Sequence, residues 1–211
     1  MNLIGLDFSI NKPAACVFHN NLCHFVSWPY DLSKKIVEQY QKSGVQIIER
    51  LDDKEKGPNI SSKMRYEVQN AQYLSKLIYD TLLPFLYEDT YIAFEGLSYA
   101  SSGDVILQLG GYKYMLMSEL SRKVPLDNMF TYSPITVKSV AGCAKKGMGK
   151  NEMIDAFMQK GPHCMFNHEL QENIQSFKNK NGKNWIAHLD DLVDAYWCLE
   201  TLRVKENLTQ I

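Results

Sequence analysis

The sequence predicts an α/β protein in which a mixed sheet, three antiparallel strands followed by parallel ones, is flanked by helices. Three short apolar runs, separated by turn-forming residues, open the chain. Strand-like and helical patterns then alternate over residues 62–159, and a strongly amphipathic segment, 188–204, follows. Apolar runs joined by short turns are typical of an antiparallel meander, whereas strands alternating with helices are typical of parallel strands covered by helices.

The first three strands are predicted at residues 2–8, 14–19 and 22–28, with a turn over 11–13. An Asn-Asn pair at 20–21 separates the second strand from the third. Asparagine tolerates the positive φ that a two-residue hairpin turn requires. We therefore expect the second and third strands to form a tight hairpin.

The next part of the chain has the weakest pattern, over residues 31–60. Within it, 45–51 fit either a strand or part of a helix, and 52–59 form a charged loop. From Ser62 onward, apolar residues recur at three- and four-residue steps, which predicts a helix that ends near Pro84. The recurring residues are Met64, Val68, Ala71, Leu74, Ile78 and Leu82.

The remaining elements alternate. Residues 90–96 form a short apolar run that ends in an acid and a glycine, which predicts a buried strand with a carboxylate at its carboxyl end. We predict a helix over 104–122, a strand over 129–134 that a proline stops, and a short helix over 151–159. Segment 188–204 has one apolar side and is predicted as an amphipathic helix.

The composition suits one globular domain, and we treat residues 1–211 as a single unit because no repeat or long linker interrupts them. Of the 211 residues, 45% are hydrophobic and 22% are charged. No stretch approaches the length of a membrane span, and the amino terminus lacks the basic region of a secretory signal. The five cysteines are odd in number and lack Cys-x-x-Cys spacing, so we expect a cytoplasmic protein (in the host cytoplasm if viral) with free thiols.

The charge is unevenly distributed. The net charge of −1 gives by itself no support for nucleic-acid binding. Residues 128–189 alone sum to +4, however, and two acid-free stretches, 128–151 and 173–189, concentrate the lysines. Such stretches can follow a phosphate backbone, although most charge runs are solvated loops. The lysines concerned are Lys138, Lys145, Lys146, Lys150, Lys178, Lys180 and Lys183.

Acidic residues occupy three unusual positions. Asp7 lies inside the first apolar strand, where a lone acid is costly unless it is paired or bound to a metal. Glu95 ends the strand over 90–96. On the last helix Asp194 is one turn from both Asp190 and Asp191, and like charges at that spacing destabilise a helix. Each acid alone also fits a structural role, as a turn cap, an ion pair or a solvated side chain.

The combination of these acids favours a metal site. Clustered carboxylates bind hard divalent cations such as Mg²⁺ through oxygen. Two such ions can activate a water molecule and stabilise the leaving oxygen during phosphodiester cleavage.

At these residues the sequence resembles the RuvC-like Holliday junction resolvases of the ribonuclease H-like superfamily, a group that includes phage, poxvirus and mitochondrial resolvases. IGLDFS resembles the first-strand acid motif of that family, and AFEG resembles its second-acid motif. YSPITVKSVAGCAKKGMGK resembles its lysine-bearing segment, and HLDDLVDAYW resembles its last-helix motif. The four motifs occur in the family's order along most of the chain.

The resemblance implies a ribonuclease H-like mixed sheet and a Mg²⁺-dependent endonuclease, with Mn²⁺ as the alternative and two ions per active site. Its implied substrate is branched DNA: as a homodimer it would resolve four-way junctions by paired symmetric nicks, in recombination, repair or viral genome processing. The implied metal ligands are Asp7, Glu95, Asp191 and Asp194, with Asp190 competing for the place of Asp191.

The resemblance also implies contacts with DNA. Lys138 and Lys150 match the two lysines that the family places near the scissile phosphate, and Lys145 and Lys146 compete with Lys150. Tyr99 is the nearest candidate for the aromatic residue that disturbs base pairing at the junction centre, although it also fits an ordinary core or surface position.

The sequence leaves two other functions open and argues against several more. A ribonuclease H-like nuclease that cuts flaps, forks or RNA–DNA hybrids and an inactive junction-binding protein both stay open. An actin-like ATPase lacks its Gly-rich phosphate loops here, and the histidines and cysteines lack zinc-site spacing. His188, one turn before Asp191, fits either a group that supports the site or an ordinary position at a helix start.

Overall fold

The computed structural model describes residues 1–50, 59–97, 103–179, 181–182 and 184–208, with only the backbone of residue 104. Its strands form one mixed sheet in the order β4-β3-β2-β1-β5-β6. Their bounds are β1 Leu3–Asp7, β2 Ala14–His19, β3 Leu22–Ser27, β4 Val45–Ile47, β5 Tyr91–Glu95 and β6 Met129–Tyr132. β2 is antiparallel to β1 and β3, whereas β1–β5, β5–β6 and β3–β4 are parallel pairs. This sheet confirms the predicted fold class.

Helices cover both faces of the sheet. In the described ranges they are α1 Lys34–Lys42, α2 Ile60–Leu82, α3 Gly103–Leu120, α4 Pro134–Ala141, α5 Lys150–Lys160, α6 Met165–Glu172 and α7 Leu189–Lys205. One face of the sheet, which includes Ile4 and Leu6 of β1, is buried by α2 and α3. The helices contribute Leu74, Ile78 and Leu116 to this apolar cluster. The helices α4–α7 bury the other face, which includes Leu3. None of the described helices is long and apolar enough to cross a membrane.

The hairpin between β2 and β3 is confirmed. Asn20 and Asn21 have φ angles of 50° and 63°, which places both turn residues in the left-handed region. The turn pairs His19 with Leu22 and fixes the register of both strands.

Two short helices lie outside the sequence prediction: α1, which buries Val37 and Tyr40 within nine residues, and α6, between the last two predicted helices. The ambiguous segment 45–51 forms a strand over Val45–Ile47, which is one of its two predicted alternatives. The loop predicted at 52–59 lies almost entirely outside the described residues.

Pro134 begins a helix as well as following a strand. β6 ends at Tyr132, two residues before the predicted stop, and α4 starts at the proline. Ser133 caps this helix, because its Oγ accepts a hydrogen bond from the backbone N–H of Thr136 (3.3 Å). Proline suits the first helical position because its missing N–H would have no partner there. Lys138 therefore lies on a helix.

Gly5 allows α7 to lie directly on β1. A methyl group at Gly5 would overlap the carbonyl oxygen of Ala195 and the backbone nitrogen of Leu199, and it would lie 2.8 Å from Leu199 Cβ. Only glycine permits this approach. The close packing of α7 brings its first turns beside the carboxyl end of β1.

Candidate active site

The acids predicted at two strand ends are neighbours. Asp7 ends β1 and Glu95 ends β5, and the register pairs Leu6 with Phe94 immediately before them. Because β1 and β5 are parallel, their carboxyl ends meet at the same edge of the sheet. Asp190, Asp191 and Asp194 belong to the first two turns of α7, which begins at this edge.

The acids act on one another electrostatically. Burial, followed by the charges of Asp194, Glu95, Asp191 and Asp190, raises the pKa of Asp7 well above its usual range. Burial, with the neighbouring acids, also raises the pKa of Asp194 to about 8. Burial raises the pKa of Glu95 as well, although nearby lysines act to lower it. The free cluster therefore favours bound protons or a cation over full ionisation.

The donor set of this cluster fits a hard divalent cation. Among the described residues, no group of three or more His, Cys, Asp and Glu side chains is already arranged to hold a metal ion. The converging side chains supply only carboxylate oxygens, which Mg²⁺ and Mn²⁺ prefer. A bound cation would also offset the mutual repulsion that, after burial, raises the pKa values of Asp7 and Asp194.

Asp190 and Asp191 have different partners. Lys150, the first residue of α5, donates a hydrogen bond from Nζ to Asp190. Burial acts to lower the pKa of Lys150, but this hydrogen bond and the charges of the acids outweigh it and raise the pKa. Asp191 instead accepts a hydrogen bond from His188. The two acids predicted as alternatives for one metal ligand therefore have different hydrogen-bond partners.

His188 is completely buried and holds Asp191. Its Nδ1 lies 2.7 Å from Asp191 Oδ2, and its Nε2 is hydrogen-bonded to Ser27 Oγ at the end of β3. Ser27 Oγ in turn donates to the carbonyl oxygen of Pro13 (2.9 Å). The chain of bonds connects β3 to the first turn of α7.

Lys138 faces the same cluster from α4. Its charge acts on Glu95, where it is the largest influence that lowers the pKa. The loop between α4 and α5 carries Lys145 and Lys146, which are exposed. The structure thus brings Lys138 and Lys150 to the acids and leaves Lys145 and Lys146 on the adjacent surface.

Lys113 is a residue of this region that the sequence analysis missed. It is only 5% exposed on α3, and its Nζ donates to the backbone carbonyl oxygen of Glu95 (3.0 Å) and lies 5.2 Å from the centroid of the Phe94 ring. Burial lowers its pKa to about 8. Lys113 is the one cationic residue of the segment 103–120 and is flanked mainly by apolar residues, and that isolation is the signal that could have found it.

Of the remaining predicted DNA contacts, one lies apart from the acids and three are not described by the structure. Lys178 lies against Trp185, and its ammonium is 3.1 Å from the centroid of the indole ring. Tyr99, Lys180 and Lys183 lie outside the described residues.

The sheet and its helices define a ribonuclease H-like α/β fold, and this fold is RuvC-like. The RuvC structure from Thermus thermophilus has a TM-score of 0.53 and 13% identity, over 98% of this chain and 97% of that one. The T. thermophilus RuvC complex with Holliday junction substrate has a TM-score of 0.51 and 12% identity, over 98% and 96% of the two chains.

A third similar structure is the yeast mitochondrial Holliday junction resolvase Ydc2, with a TM-score of 0.48 and 14% identity, over 98% of this chain and 82% of that one. No protein-family model and no curated protein sequence matches the chain. At these identities the likeness to RuvC establishes the fold.

Proposed function

We propose that this protein is a divalent-metal-dependent DNA endonuclease that resolves four-way junctions by paired symmetric nicks. The observation that carries the proposal is the convergence of Asp7, Glu95, Asp191 and Asp194 at the carboxyl edge of β1 and β5. The RuvC-like fold supports it, and one similar structure is RuvC in complex with Holliday junction substrate. The proposed roles are in recombination, repair or viral genome processing.

The proposed roles of the side chains follow from their positions. Asp7, Glu95, Asp191 and Asp194 would hold two Mg²⁺ or Mn²⁺ ions. When bound, such ions lower the pKa of water and neutralise charge that develops on the phosphate. His188 orients Asp191 so that one carboxylate oxygen is fixed by the imidazole and the other stays available.

Two lysines complete the proposed site. Lys138 and Lys150 flank the acids and would hold the negatively charged phosphate against them. A fixed ammonium group beside a phosphodiester stabilises the charge that increases during cleavage. Lys145, Lys146, Lys178, Lys180 and Lys183 are proposed to contact the DNA backbone. Tyr99 is proposed to disturb base pairing at the junction centre.

Apolar side chains on the surface of α2 and α3 support a homodimer. These two helices pack against each other, and several of their large apolar residues are exposed. A two-fold dimer that buries this surface would present two acid clusters to the two strands of a junction. The exposed residues are Ile60, Met64, Val68, Val105, Leu107 and Tyr114.

Cleavage of a synthetic four-way junction tests the proposal. Each strand is end-labelled in turn and incubated with Mg²⁺ or with EDTA, beside fork, flap and RNA–DNA hybrid substrates. We expect paired symmetric nicks in the junction that disappear in EDTA. Cutting confined to forks, flaps or hybrids would instead assign a different ribonuclease H-like nuclease, and binding without cleavage in either metal would assign a junction-binding protein.

Asp7→Asn separates binding from cleavage in the same assay. We expect this variant to bind the junction and to lose cleavage, because it removes a metal-binding charge and keeps the side-chain shape. Asp155→Asn is the matched control, since Asp155 is exposed on α5 and is not among the acids that act on Asp7. Wild-type cutting by Asp7→Asn would disprove the site assignment.

A further inference from the structure

A concave region lies outside the acid cluster. It is a cleft of about 630 Å³ between α1 and two segments, 175–179 and 185–187, that precede α7. We call it the Trp185 cleft. Its walls include Lys35, Ile36, Gln39, Lys178, Asn179 and Trp185.

The topology places this cleft at the same edge of the sheet as the acids. β3 is parallel to β1, and α1 starts shortly after β3 ends, so the first half of α1 lies at the carboxyl edge. The opposite wall, 185–187, continues directly into His188, whose ring bonds to Asp191. Tyr40 connects the two walls, because its hydroxyl donates to the carbonyl oxygen of Ala187 (2.8 Å). A strand leaving the acid cluster along this edge would therefore meet the cleft.

The backbone fixes the aromatic wall of the cleft. Lys178 and Trp185 pair as an antiparallel bridge. Ile186 N donates to the carbonyl oxygen of Phe177 (2.9 Å), and Asn179 N donates to that of Asn184 (2.8 Å). These main-chain bonds thus hold residues 178 and 185 side by side before any ligand arrives.

The chemistry of the walls is that of a nucleotide site. Trp185 is half-buried and lines the cleft, so it provides an aromatic surface there. Gln39 and Asn179 add amide groups, and Lys35 and Lys178 add positive charge. Binding the backbone of duplex DNA requires only positive charge, whereas binding an exposed base also requires an aromatic surface and amide groups.

We propose that the Trp185 cleft binds one unpaired nucleotide of a DNA strand, with the base taking the place of the Lys178 ammonium over the indole and the phosphate held by Lys35 and the displaced Lys178. This inference rests on the proposed function, because it places the nucleotide next to the strand that the acids would cut. It adds a site that recognises an unpaired base outside the metal centre.

Tryptophan fluorescence provides a direct test. Of the three tryptophans, Trp28 and Trp197 are 0% and 2% exposed, so quenching by an added ligand reports on Trp185. The probe is an oligothymidylate about five nucleotides long, titrated in EDTA so that cleavage plays no part. We expect saturable quenching, and we expect Trp185→Phe to abolish that quenching and to weaken binding measured by anisotropy of a labelled probe.

Two lysine variants form a matched pair in this test. Lys178→Ala should weaken oligothymidylate binding about fivefold or more, because it removes a phosphate contact beside the indole. Lys123→Ala should leave binding unchanged, since Lys123 is exposed between α3 and β6, at the opposite edge of the sheet. Thermal unfolding of every variant verifies that it is folded. A blunt duplex with equal phosphates should displace the probe less well than unlabelled oligothymidylate.

The outcomes separate this inference from the proposed function. Absent quenching, quenching that survives in Trp185→Phe, or equal displacement by duplex would overturn the nucleotide site even if junctions are cut normally. Specific quenching in a protein that neither binds nor cuts junctions would support the nucleotide site and overturn the resolvase assignment.

Discussion

The acid cluster has two unlike flanks. On one flank Asp191 is bonded to His188, which is 0% exposed and is fixed to β3 through Ser27. On the other, Asp190 is bonded to Lys150, whose side chain is 72% exposed. A buried hydrogen bond fixes a carboxylate before any ligand arrives, whereas an exposed lysine exchanges partners at little cost. The comparison indicates that Asp191 is prepared to hold a cation and that Lys150 is free to move onto a phosphate.

The largest expected effect comes from a change that moves both flanks at once. Gly5→Ala places a methyl group against the backbone of Ala195 and Leu199, so α7 must shift away from β1. We expect a loss of about 3 kcal/mol or more in the free energy of unfolding, and loss of cleavage, because overpacking at rigid backbone cannot relax. Chemical denaturation measures the first quantity. Gly103→Ala is the control, since no atom of the described residues lies within 4 Å of a methyl group there. Equal stability of the two variants would disprove the close packing.

Asp194, within the acid cluster, should make the free energy of unfolding depend on pH. Asp194 has a pKa of about 8 in the folded protein, above the value of 3.8 that it has when unfolded. The folded state therefore binds more protons, and the free energy of unfolding falls as pH rises from about 4 towards 8. We expect a decrease on the order of 2 kcal/mol between pH 5 and 8 in EDTA.

Two measurements isolate that effect. Asp194→Asn should flatten the pH dependence, and saturating Mg²⁺ should reduce it because a bound cation replaces the protons. Thermal unfolding at several pH values measures both. A slope that is unchanged in Asp194→Asn would contradict the assignment.

The buried flank should respond to removal of its imidazole. His188→Ala leaves Ser27 and Asp191 without their shared partner, and we expect a loss of about 2 kcal/mol in stability together with weaker divalent-cation binding. His188→Asn offers an amide N–H near the position of Nδ1 and should recover part of the cation affinity. Calorimetric titration with Mn²⁺ measures that affinity. Equal cation binding by wild type and His188→Ala would show that Asp191 needs no support from His188.

The sequence predicted the acids better than it predicted what surrounds them. Asp7 and Glu95 could be found because an acid at the end of an apolar run is costly unless something binds it. The bond between His188 and Ser27 joins residues 161 positions apart, and no local pattern reports such a contact. Lys113 likewise depends on how α3 packs against the end of β5.

The elements that the sequence pattern missed or left ambiguous are short. β4 has three residues, too few to show a period, and it is a strand because it pairs with β3 at the edge of the sheet. Pro134 was interpreted only as the end of a strand, although proline also suits the first position of a helix. Tertiary contacts and capping decide such elements more than hydrophobic periodicity does.

The smallest expected effect is on the exposed flank. Lys150→Ala removes an ion pair whose lysine is largely solvated, so we expect a change of less than about 1 kcal/mol in the free energy of unfolding. Cleavage should nevertheless fall at least tenfold while junction binding changes little, because the ammonium group acts on the phosphate during the reaction. Lys123→Ala is the control, since Lys123 is exposed at the opposite edge of the sheet. Chemical denaturation, gel-shift binding and single-turnover cleavage measure the three quantities. Parallel losses of binding and cleavage in Lys150→Ala would instead make Lys150 an ordinary backbone contact, and the two flanks would then differ in burial alone.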